Sequence, residues 1–266
     1  MTKARAELDP QDALDRAQDC IYDAVEVSTP KRRIALARKA LSISPLCADA
    51  HVILAGHSAK GSDEELDHWR RGVEAGEKAL GKSGFKDYAG HFWGFLETRP
   101  YMRARNGLAL ALWARGARDE AVDHLLAMLA LNPNDNQGLR YALAGYLVEL
   151  RRTSDFDALM KSFPEDGSAF FAWPRALSAF QIGGDCAASR AQLKKAMASN
   201  AHVRDFLSDR RKLPKRRPAY YSPGDASEAM FYVTDNGGCW SATPGALDWL
   251  RASVEERVAK PKKKVG

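Results

Sequence analysis

A chain of 266 residues with 45% hydrophobic and 28% charged content is long and apolar enough to bury a sizeable core, which excludes disorder as the default state. Much of its net charge of +6 sits in two late segments, 209–217 and 260–264, so any polyanion partner is expected at a local patch and not across the whole surface. Cys20, Cys47, Cys186 and Cys239 form no Cys-x-x-Cys pair for zinc or dithiol exchange, the start MTKARAELDPQDA lacks the apolar core of a signal peptide, and apolar runs such as 108–114 fall short of a bilayer span; a cytoplasmic protein with reduced thiols and no membrane partner is expected.

From Gln11 to Val27 the residues Ala13, Leu14, Ala17, Ile21, Ala24 and Val25 recur at three- and four-residue steps, which predicts an amphipathic helix. Ser28, Thr29 and Pro30 stop it and open a second helix, a hydroxyl cap followed by first-turn proline, and that helix ends at Pro45. A further hairpin follows as CADAHVILAGHSA, a break at 60–62, and a charged helix over 63–80.

Between Gly81 and Pro100 the rhythm fails, because Gly81, Gly84, Gly90 and Gly94 puncture a segment that carries Phe85, Tyr88, Phe92, Trp93 and Phe95. Two outcomes stay open for these aromatics: a short helix that seals an edge between hairpins, or side chains that enter a groove as its wall or plug. A third hairpin opens at Thr98 and Pro100, with Leu108 and Ala109 as paired contacts, Gly116 in the turn, Ala121 packing the second helix and Pro133 closing it. In LNPNDNQGLR, Asn132 and Pro133 end one helix while Asp135 or Asn136 is expected to cap the next.

Leu139, Ala142, Leu143 and Tyr146 begin a fourth unit, whose second helix is expected over 155–163. Trp173, Ala176, Leu177, Phe180, Gly184, Ala196 and Asn200 keep the same spacing in a fifth. A sixth starts at Ala201 and is interrupted by 210–218; helices over 225–234 and 243–259 then precede a KPKKK tail expected to be disordered. This organises the chain as helical repeats over 1–208 with an insertion at 81–99, a basic connector with C-terminal capping helices over 209–259, and a basic tail over 260–266.

The hairpins from Pro30 to about Asn200 resemble the tetratricopeptide repeat family. The resemblance implies an all-α, right-handed α-solenoid whose first helices line a concave wall, used to bind peptides or hold complexes together. AMASNAHVRDFLSDRRKLP, SPGDASEAMFYV and W-x-x-T-x-GALDWL are similar to the C-terminal part of the suppression-of-tumorigenicity family, a membrane-associated group with a helical repeat region, although this chain carries no apolar run of spanning length. Neither resemblance supplies catalytic residues.

In repeat register Arg103 and Asn106 on one first helix, and Gln137 and Arg140 on the next, form a polar ladder, with Trp93 and Arg99 beside it. Guanidinium forks suit carboxylates bidentately and amides suit a peptide backbone, which points to a protein or peptide with an acidic or carboxylate-bearing segment. Asn106 and Leu110 stand where a dicarboxylate clamp has lysine and asparagine, so heat-shock-protein tails are not expected. The alternative is that Arg99, Arg103, Arg105 and Arg140 pair with Glu97, Glu120 or Asp135 as salt bridges between hairpins. The six histidines are scattered, Cys186 and Cys239 read as small packing residues, and no phosphate loop or nucleophile elbow occurs, so no metal, cofactor or catalytic site is expected. Arg210, Arg211, Lys212, Lys215, Arg216 and Arg217, followed by Tyr220 and Tyr221, form either a nucleic-acid patch or a solvated loop flanking an acidic helix. A non-enzymatic adaptor is the first expectation and a nucleic-acid-associated protein the second, with an enzyme behind both.

Overall fold

A computed structural model describes residues 9–258, and every regular element in that range is helical. The chain divides into two compact units, one ending at Gln137 and the other starting at Gly138.

The first unit contains α1 (Pro10–Glu26), α2 (Pro30–Ile43), α3 (Ala48–His57), α4 (Asp63–Asp87), a short 3-10 turn (Phe92–Gly94), α5 (Arg99–Ala114) and α6 (Arg118–Leu131). The pairs α1–α2, α3–α4 and α5–α6 pack as hairpins, and successive hairpins are joined by α2 on α3 and by α5 on both α3 and α4. The apolar stripe read from the sequence faces inward: Ala17, Ala37, Ala40, Cys47 and Ala50 are fully buried beside Ile21 and Leu54, and small side chains here let helices approach closely. Real caps are fewer than the cap-like residues. Asp9 and Ser62 accept from Gln11 and Glu65 backbone N–H, whereas Thr29 and Thr98 stand at helix starts without capping them.

α4 runs past the expected end at Leu80. Gly81, at φ 57 and ψ −178, breaks its helical conformation, and a further turn continues to Asp87. The inserted segment then folds over the end of α6: Gly90 N–H donates to Leu131 C=O at 3.0 Å and Trp93 N–H to the Asn132 side chain at 3.2 Å. Phe92 is fully buried against Phe85 and Tyr101, and Thr98 donates its hydroxyl to the Phe92 carbonyl. Phe92 therefore closes the stack at this edge, since burying a phenyl ring is worth roughly 2–3 kcal/mol.

The second unit contains α7 (Leu139–Glu149), α8 (Thr153–Ser162), α9 (Ala169–Gly183), α10 (Ala187–Ser199), α11 (His202–Leu207), α12 (Ala226–Ala242) and α13 (Ala246–Val258). α7–α8 and α9–α10 are hairpins. The expected sixth repeat yields only the six-residue α11, and the long connection after it brings α12 back onto α7, α9 and α11. Trp173, Trp240 and Trp249 meet there, with ring centroids 5.7 Å apart for the first two and 6.5 Å for the last two, and Trp173 donates its indole N–H to the Asn200 carbonyl.

This packing explains one difference from expectation. α12 does not stop at Thr234 but runs through Gly237 and Gly238 to Ala242. Each helical glycine costs about 1 kcal/mol relative to alanine. Cys239 and Trp240, 1% and 0% exposed, offset that cost by burial.

Candidate functional site

The first unit carries a cleft of about 590 Å³, walled by one face of α1 (Leu14, Gln18, Tyr22), by α4 from Gly76 to Asp87, and by Arg99, Pro100 and Arg103 of α5, with Tyr88, Leu96 and Glu97 of the insertion. Arg103 anchors it. Its Nε donates to Asp49 Oδ1 at 2.8 Å and its Nη2 to Oδ2 at 2.5 Å, while Gln18 Nε2 donates to Oδ2 at 3.1 Å. Asp49 is 4% exposed, whereas the Arg103 side chain keeps 39% of its surface open. A buried carboxylate thus orients a half-exposed guanidinium, and the Nη1 edge has no hydrogen-bond partner among the described residues.

One turn earlier Arg99 donates its Nε to the Trp93 carbonyl at 3.0 Å and lies over the Trp93 ring at 5.5 Å. Tyr22 and Leu96, 57% and 64% exposed, add apolar surface, and exposed Asp15, Asp87 and Glu97 also line the cleft. The wall therefore mixes apolar surface with both signs of charge. Of the residues expected in a groove, Arg99 and Arg103 line this cleft; Asp49, an acid in a first helical turn whose partner is 54 residues away, is not singled out by the sequence.

The other ladder residues are not gathered there. Asn106 is half-buried on α5 and does not line the cleft. Gln137 precedes α7 and its Oε1 is buried without a partner among the described residues. The backbone explains this: Gly138 at φ 73 is the residue before α7, so the helix starts later than repeat register requires, and Gly138, not Asp135 or Asn136, holds the cap position. Arg140 belongs to the second unit. Arg103 takes Asp49 and Arg105 donates to His124 Nδ1 and the Tyr101 hydroxyl, so neither meets Glu97, Glu120 or Asp135, while Arg140 pairs with Asp166.

The second unit has its own cleft of about 720 Å³, lined by Arg140, Tyr141, Phe163, Asp166, Ser168 and Glu228 among others. Arg140 lies 4.3 Å from the Tyr141 ring centroid and 4.9 Å from that of Phe163, and its Nε donates to Asp166 at 2.9 Å. Burial pushes the Asp166 carboxyl up, but hydrogen bonds from Ser168 and Arg140 outweigh it and hold the group below the usual carboxylate range. Glu228, 1% exposed, accepts from the backbone N–H of Ala169 at 3.1 Å and Gly224 at 2.8 Å and from the Asn200 amide at 2.9 Å. Its charge rests at the N-termini of α9 and α12, where the helix dipoles favour it. The signal was present in DASE, an acidic cap with glutamate three residues on.

The basic segment after α11 is exposed from Asp209 to Tyr220. Arg211 covers the Phe206 ring at 5.0 Å, and Arg217 pairs with Asp235 at 2.7 Å and covers Phe231 at 4.2 Å. Tyr221 packs on Phe170 and Phe231, while Tyr220 stands 82% exposed.

Among the described residues no three His, Cys, Asp or Glu side chains gather as a metal-binding group, and no helix is long and apolar enough to cross a membrane. Comparison with family models, curated proteins and solved structures finds no match to the chain.

Proposed function

We propose that the protein is a non-enzymatic, cytoplasmic adaptor built as a tetratricopeptide-like right-handed helical solenoid, and that it takes a protein or peptide segment in the cleft of its first unit. Consecutive helical hairpins and the glycine turn at Gly116 support the repeat reading. The observation that carries the binding reading is Arg103, held by buried Asp49 so that an unoccupied guanidinium edge lines a cleft with exposed Tyr22 and Leu96. Such pre-orientation reduces the side-chain entropy lost when a carboxylate is bound. The occupant is a segment with apolar side chains and a carboxylate for Arg103 and Arg99.

The test uses Tyr22→Glu with Leu96→Glu, two exposed positions whose substitution leaves the core intact. Affinity purification from the native cell with mass spectrometry is expected to lose its specific partners with this variant. Retention of every partner would remove the cleft from consideration.

A further inference from the structure

We propose a second, separate activity: the segment from Asp209 to Tyr221 is a binding strap for single-stranded nucleic acid. Its ends are fastened and its middle is open. At one end Arg211 N–H bonds the Asp205 carbonyl at 2.9 Å and its guanidinium covers Phe206; at the other Arg217 is held by Asp235 and Phe231, and Tyr221 is packed between Phe170 and Phe231. The acids around the strap already have arginines: Asp205 has Arg204, Asp209 has Arg251, and Asp235 has Arg217.

What remains is Arg210, Lys212, Lys215 and Arg216, all exposed and without a charge partner among the described residues. They lie on at most roughly 20 Å of chain. From Lys212 to Tyr221 no backbone N–H is bonded within the described residues, so main-chain donors are open beside the cations. Tyr220, 82% exposed, completes the set with a ring that stacks on no other ring among the described residues.

Four free cations, open amides and one free aromatic ring match the demands of a single strand, whose phosphates need positive charge and whose unstacked bases need a π-face. A duplex fits less well, because the major groove admits a helix or a two-stranded ribbon and this strap is neither. An anionic membrane fits less well too, since surface binding draws on an amphipathic helix and the strap is irregular.

The full-length protein is titrated with a fluorescent twelve-nucleotide oligouridylate, read by anisotropy at several salt concentrations. Neutralising four phosphates predicts a slope of log affinity against log salt of about −3. Arg210→Gln, Lys212→Gln, Lys215→Gln and Arg216→Gln together are expected to remove most of that slope, and Tyr220→Ala to weaken binding about tenfold at every salt concentration with the slope unchanged. All five side chains are exposed, so the melting temperature should hold, and it is measured on the same samples. No binding at low salt overturns the proposal. Equal affinity for a duplex, or equal displacement by polyglutamate or phosphatidylserine vesicles with Tyr220→Ala neutral, also overturns it, because the strap is then a general polyanion surface.

Discussion

Arg103 grips Asp49 with both arms of its guanidinium although 54 residues separate them, and the acid is the buried member of the pair. Removing the arginine leaves a carboxylate 4% exposed with the Gln18 amide as its one remaining side-chain hydrogen-bond donor among the described residues. Arg103→Met is therefore expected to cost about 2 kcal/mol, less than a fully buried pair because Arg103 is partly solvated. Arg103→Met with Asp49→Asn should recover most of that loss, since no charge is stranded. Urea unfolding of the two single variants and the double variant measures the coupling, and simple additivity would contradict this account.

Two helix ends make the same turn with different residues. After α5, Gly116 N–H bonds Trp113 C=O and Ala117 N–H bonds Leu112 C=O; after α7, Arg151 N–H bonds Val148 C=O and Arg152 N–H bonds Leu147 C=O. Both central residues are left-handed, Gly116 at φ 87 and Arg151 at φ 55. An L side chain in that region costs about 1–2 kcal/mol, part of which glycine returns through its freer unfolded chain. Arg151→Gly is expected to stabilise the protein by roughly 0.5–1 kcal/mol in chemical denaturation. A loss of stability would mean that the arginine side chain holds something beyond its own turn.

His51, 7% exposed, has its ring Nδ1 3.2 Å from that of His68. Burial first, then the charges of His68 and Arg71, outweigh Asp67 and push its pKa down to about 4. In the unfolded chain the group titrates near 6.5, so between these values the unfolded state binds more protons and stability falls with falling pH. The contribution is complete above pH 6.5 and lost progressively toward pH 4, reaching about 3 kcal/mol at most. Denaturation at pH 7.5, 6 and 5 is expected to show this slope and His51→Gln to flatten it.

Gly107 and Gly56 both lie inside helices but face opposite surroundings. A Cβ on Gly107 would fall within the Trp69 ring of the neighbouring α4, whereas one on Gly56 of α3 meets nothing within 4 Å. Gly107→Ala is expected to destabilise by roughly 2–3 kcal/mol, as overpacking does, and Gly56→Ala to stabilise by about 0.5–1 kcal/mol. Thermal melts of the two variants should move in opposite directions; a shift of the same sign in both would show that Trp69 relaxes freely.

Helices that carry a 3.6-residue apolar stripe are legible from the order of residues alone. α1, α2, α5 and α6 lie where the spacing put them, and Gly116 turns where only a residue tolerant of positive φ sits without cost. Repeat register also singles out Arg103, with Arg99 beside it. What those groups meet depends on how the helices pack. Asp49 is an ordinary first-turn acid in sequence and becomes the buried anchor of Arg103 once α3 packs on α5, just as Glu228 becomes an N-terminal counter-charge for α9 once α12 folds back. The helix expected to stop at Thr234 is carried on to Ala242 by the burial of Cys239 and Trp240, and Gln137 stays off α7 because Gly138, between it and the helix, is left-handed. Local propensities of about 1 kcal/mol per residue set the helices, while burial of whole side chains, worth two or three times as much, chose which helices meet and so which charges became partners.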